Sequence, residues 1–96
     1  MWTLEQVRAE YDRLDITFGI DTSSVILAFS DRMIRQYGVC VFRGHVPVQI
    51  RLASFLKEES DAFWQTAYHE YAHAAAALLS GTRHGHDALW KEICSR

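Results

Sequence analysis

Proline is nearly absent from this 96-residue chain, at one residue, and cysteine is scarce, at two. Cys40 and Cys94 cannot build a disulfide framework or a four-cysteine zinc ribbon. Reduced thiols in an intracellular protein, cytoplasmic or nuclear if the cell is eukaryotic, are the simplest expectation. No apolar run approaches membrane-spanning length, and the N-terminus lacks the basic, apolar and small-residue order of a secretory signal, so no membrane partner is expected. An excess of one charge is missing too. Ten Lys and Arg against twelve Asp and Glu leave a formal net charge of -2, which gives no electrostatic sign of nucleic-acid binding. Arg32, Arg35, Arg43 and Arg51 fall mid-chain and read as scattered surface arginines rather than as a basic face.

What remains is an ordinary globular composition, 49% hydrophobic and 23% charged, of a length that fits one small domain over residues 1–96. A core of this size is marginal, so a bound metal could matter to stability as well as to chemistry.

The most informative stretch is His69-Glu70-Tyr71-Ala72-His73. Two imidazoles four residues apart on a helix lie on one face, about one turn apart, where both can grip one metal ion. A carboxylate directly after the first histidine projects beside that ion and can take a proton from water there without being a ligand. This is the recipe of a zinc hydrolase acting on peptide bonds. The alternative is a core helix with two satisfied histidines. Context favours the first: Ser60 to Ser80 reads as one helix, with Ser60 or Asp61 as N-cap, Ala74 to Ala77 after the motif, and Gly81 as the stop. The small side chains suit close packing against a neighbouring element.

Upstream, Thr3 and Gln6 resemble a capping box, and Leu4, Val7, Tyr11 and Leu14 follow at helical spacing, giving a first helix to about Leu14. Val25 to Phe29 and Tyr37 to Arg43 read as strands, with Gly44 and His45 marking a turn. Val46 to Leu52 alternates Val46, Val48, Ile50 and Leu52 against Pro47, Gln49 and Arg51, as a half-buried strand does. Pro47 argues for an edge position or a strand start. Closeness in sequence suggests an antiparallel meander of these three strands. A short turn or helix near Ser54 to Lys57 follows, and Asp87 to Cys94 is helix-like, with Leu89, Trp90 and Ile93 in one stripe. The expectation is an α+β domain: a small antiparallel three-stranded sheet packed against helices on one face, one of them a zincin-like HExxH helix.

Catalytic zinc (Zn2+) normally takes three protein ligands and leaves one position open. After the motif helix the chain offers His84, His86, Asp87 and Glu92. Ligand type and spacing favour His86, with His84 and Glu92 as the alternatives. The metzincin spacing HExxH-x2-G-x2-H is absent. Tyr68, Tyr71 and Arg83 are the side chains available to stabilise developing charge, although packing or solvent-facing roles are expected of each. Cys40, Cys94 and His45 are assigned no chemistry.

At this point the residues resemble a known family, the SprT-like metalloproteases, which include the Spartan proteases. Phe29-Ser30-Asp31-Arg32-Met33, then Gly38-Val39-Cys40, resembles the family's aromatic-Ser-x-Arg-Met segment and the strand after its glycine. Ile50-Arg51-Leu52-Ala53-Ser54-Phe55-Leu56 is similar to its Ile-x-Leu-Ser-x-x-Leu stretch, with one extra residue before the serine. His69 to Ala74 matches the HExxHA helix, and Gly85-His86-Asp87-Ala88-Leu89-Trp90-Lys91 resembles the final Gly-His-x-x-x-aromatic element. The blocks keep the family's order over roughly residues 4 to 95. Asp87 departs from the glycine usual after the third histidine, while Trp90 stands where an aromatic is expected after His86 but not after His84.

The resemblance implies zinc at His69, His73 and His86, Glu70 as general base, protein substrates, and DNA-bound or DNA-crosslinked proteins among them. No particular oligomeric state is implied. The chain reaches Arg96 without the cysteine-rich ribbon or basic tail of many relatives, as a catalytic core would. A rival from another class is a non-catalytic, zinc-stabilised interaction module, in which Glu70 orients a ligand and a fourth protein ligand closes the site.

Overall fold

A computed structural model describes residues 1–58, 60–81 and 88–94. Helix α1 spans Leu4–Phe18 and opens with the expected capping box: the Gln6 N–H donates to the Thr3 hydroxyl and the Thr3 N–H to the Gln6 side chain. It runs past Leu14 to Gly19, whose φ of 68° lets its N–H turn back to the Asp15 carbonyl. A left-handed residue of this kind costs a Cβ-bearing side chain dearly, which is why glycine sits there.

Three strands follow: β1 (Ile26–Ser30), β2 (Gly38–Arg43) and β3 (Val46–Ala53). They form an α+β fold's small mixed sheet in the order β1-β3-β2, not an antiparallel meander. β3 pairs antiparallel with β2 and parallel with β1. The reason lies in which strand needs cover. Ile50, Leu52 and Ala53 of β3 are all but inaccessible to solvent, so β3 takes the centre and the flanks protect its backbone. The 31–37 segment makes this possible, because the end of β1 and the start of β2 both lie beside the end of β3: Ser30 pairs with Ala53 and Gly38 with Leu52.

The β2–β3 hairpin closes through Gly44 and His45, with Gly44 at φ 62°, the positive value that two-residue hairpin turns require. Pro47 marks a strand start as expected, but on a central strand rather than an edge. β1 pairs with β3 only from Gln49 onward, so on that side Pro47 lies beyond the ladder. A register shift between Val41 and Phe42 inserts Val48 as an extra residue. It reverses the expected alternation at the strand's start, leaving Val46 57% exposed and Pro47 buried.

A 3-10 turn (Ser54–Glu58) leads to α2 (Ser60–Ser80), and α3 spans Ala88–Cys94. Ser60 and Asp61, the expected caps, are already helical, and residue 59 lies outside the described residues. Helix α2 packs on β3 and β2, and touches α1 and α3 as well. Ala67, Ala72, Ala74, Ala75, Ala76 and Ala77 are buried, and their short side chains are what let one helix be approached from several sides. Phe63, fully buried, anchors its first half against Trp2, Phe29 and Trp64.

Candidate metal centre

His69, Glu70 and His73 stand on the part of α2 that faces β2 and α3. The two imidazole rings lie 5.1 Å apart between centroids, as side chains one turn apart on a helix do. Trp90 of α3 braces both: its ring is 4.9 Å from that of His69 and 5.6 Å from that of His73, and its indole N–H points at the His69 carbonyl at 3.4 Å. Trp90 thus packs against both histidine rings.

Two adjoining cavities, about 510 and 300 Å³, open over this face. Gln36, Gly38, His69 and Glu70 line both, so they form one groove with a waist between β2 and α2. Arg35 and Tyr37 wall one half, Val39, Phe42 and His73 the other. β2 is an edge strand here. Since the Ala53 N–H bonds the Tyr37 carbonyl, alternation along the antiparallel pair turns the backbone groups of Val39 toward β3 and those of Gly38 and Cys40 toward the open side.

Glu70 is only 6% exposed. Burial pushes its carboxyl pKa up to about 7, opposed by the Cys40 N–H, which donates to it. Among the described residues it has no ion pair. A desolvated carboxylate beside two imidazoles is a set of groups suited to a divalent metal.

Among the described residues no three His, Cys, Asp or Glu side chains come together to hold an ion. His86, the expected third ligand, lies outside the described residues, as do His84, Asp87 and Arg83. Glu92 is described, exposed on α3, and does not join the histidines in such a set.

The remaining candidates face elsewhere. Tyr68 donates to Glu10 at 3.1 Å on the α1 side, and His45 is exposed in its turn. Tyr71, inside the motif, donates to Asp15 at 2.8 Å. Burial, and then that bond, raises the Tyr71 hydroxyl pKa far above its ordinary range, so it remains a donor. Asp15 also accepts from the Thr22 N–H and hydroxyl, at 2.8 and 2.9 Å, while Arg8 donates to the Thr22 and Val25 carbonyls. This buried network ties the end of α1 and the start of β1 to the motif helix. Sequence reading missed it; Asp15 and Thr22 flanking the Gly19 stop were the available signal.

No helix among the described residues is long and apolar enough to cross a membrane. Neither a curated protein nor a solved structure matches the chain. One family model does, that of the SprT-like family, over residues 4–96. That match takes in α1, the mixed sheet, the motif helix and the α3 tryptophan behind the histidines, and with it the chain belongs to the SprT-like family.

Proposed function

We propose that this chain is a zinc-dependent metallopeptidase that hydrolyses peptide bonds in protein substrates, with His69, His73 and His86 as metal ligands and Glu70 as general base. The observation that carries the reading is the convergence of both imidazoles and the buried Glu70 carboxylate on one groove beside the open edge of β2.

Bound there, zinc supplies a Lewis acid that polarises the scissile carbonyl and makes water acidic enough to react near neutral pH. Glu70 takes the water's proton and passes it to the leaving amine. Without metal, burial raises the Glu70 carboxyl pKa to about 7, an environment that favours taking up a proton. The outward backbone groups of Gly38 on β2 offer an extended polypeptide main-chain partners, which favours a peptide over a compact small molecule in the groove. Trp90 fixes the ligand rings from behind, a role that leaves it off the substrate side.

The test pairs metal content with cleavage. The purified protein should carry one zinc per chain, lost in His69→Ala, His73→Ala and His86→Ala but kept in His84→Ala. Glu70→Gln should keep zinc while losing roughly 100-fold or more of its peptidase rate. Wild-type cleavage by zinc-loaded Glu70→Gln rules out the assignment of the base. Zinc held by four protein groups with no exchangeable water favours the interaction module instead.

An intracellular setting, and DNA-bound proteins as the substrates, extend the proposal. DNA should then stimulate cleavage, and a titration without effect on cleavage or binding leaves a general protease.

A further inference from the structure

Gly38 opens β2 at the waist of the groove, where it lines both cavities. It also lies close against the motif helix. A Cβ built on it would lie 2.7 Å from the Thr66 Cγ2, 3.1 Å from the Glu70 Cγ and 3.2 Å from the Arg51 carbonyl oxygen. The first distance is well inside van der Waals contact and the Arg51 oxygen is backbone, so an added methyl would be caught between α2 and β3. Its φ is not positive, so conformational freedom is not what glycine contributes here. Space is.

Two residues on, Cys40 turns its N–H to the same open side of β2, and this N–H meets the Glu70 carboxylate. The contact joins an edge strand to the side chain between the two histidines.

We propose that Gly38 is a positioning residue for Glu70: its missing side chain lets β2 approach α2 closely enough for the Cys40 N–H to hold the Glu70 carboxylate at the waist of the groove. The inference rests on the peptidase reading for its consequence in rate, and on the backbone geometry alone for the contact. A methyl at residue 38 pushes the strand away from Thr66 and Glu70, loosens the Cys40 contact and misdirects the carboxylate. Misplacement of a catalytic group by a fraction of an ångström to an ångström is enough to cost rate heavily.

Two readouts test it. On the zinc-loaded protein, Gly38→Ala should lower kcat about tenfold or more with KM within about twofold and zinc content unchanged. Adding Thr66→Ser, which removes the Cγ2 that the methyl meets, should recover part of kcat relative to Gly38→Ala alone. Independently of activity, the Cys40 amide proton resonance should move upfield and exchange faster in Glu70→Ala than in the wild type. Gly38→Ala should move it in the same direction.

Wild-type kcat in folded Gly38→Ala, or a loss confined to KM, overturns the positioning role. An unchanged Cys40 amide in Glu70→Ala overturns the contact, and this arm decides even if Gly38→Ala does not fold. A wild type that binds zinc and cleaves nothing sinks the peptidase reading, while the amide measurement still settles the contact.

Discussion

Tyr71 and Asp15, 56 positions apart in sequence, share a 2.8 Å hydrogen bond in the interior, so the motif helix is fastened to the end of α1 from within the motif itself. Tyr71 lies between Glu70 and the second histidine, yet its side chain faces away from both. The bond should therefore affect stability first and activity only through it. Tyr71→Phe should lower unfolding free energy by about 1–2 kcal/mol, and Asp15→Ala by more, about 3 kcal/mol, because it strands the Thr22 N–H and hydroxyl as well. Denaturant melts of the two variants check the order; equal losses would contradict the network.

Metal removal comes next. A metal that binds only the folded state stabilises it by mass action. Chelation should lower Tm by several degrees in the wild type and by little in His69→Ala or His73→Ala. If the chelator moves all three Tm values alike, the two imidazoles do not hold the ion.

Trp90 gives an optical handle on the same site. Because its ring lies against both histidines, zinc titration should change its fluorescence, and Trp90→Phe should abolish that change although Trp2 and Trp64 remain. Losing the support should also weaken zinc affinity roughly 10-fold or more. An identical response in Trp90→Phe would place the signal elsewhere.

In the metal-free protein, Glu70 makes stability depend on pH in a defined direction. Its folded pKa is raised from an ordinary 4.5 to about 7, so the folded state holds its proton more tightly than the unfolded state does. Below about 4.5 both states are protonated and burial costs little. Between about 4.5 and 7 the unfolded state gives up the proton that the folded state keeps, so stability falls across that window and levels off above it, where folding buries a charge. Measured against Glu70→Gln in chelator, the wild type should lose on the order of 1–2 kcal/mol between pH 4.5 and 8, after allowance for partial solvent screening. A constant gap across that range would show that the carboxyl is not desolvated.

Local chemistry was legible in the chain where one short stretch suffices. The Thr3–Gln6 capping box, the alanine-rich body of α2 and the Gly44 turn each announce themselves within a few residues, and each is found. The pairing of strands was not legible, because a parallel β1–β3 pair depends on where the 31–37 segment returns, which no local pattern records. Pro47 shows the same limit. Its missing N–H signals an edge position or a strand start; the strand start is found, but on a central strand, where a bulge and a short partner strand leave its nitrogen unpaired with β1. At the site, His69, Glu70 and His73 follow from helical spacing. The closeness of Gly38 to Glu70 needs the tertiary fold and had no sequence signature beyond the glycine itself.

The connector from β1 to β2 makes the crossing that leaves β3 in the middle, and through Arg35, Gln36 and Tyr37 it also walls the groove. Insertions or substitutions there can therefore redraw the mouth of the cleft while the floor of histidines and glutamate stays on its own helix. The mouth of the cleft and the paired imidazoles thus sit on separate pieces of chain, and one can drift without dragging the other along.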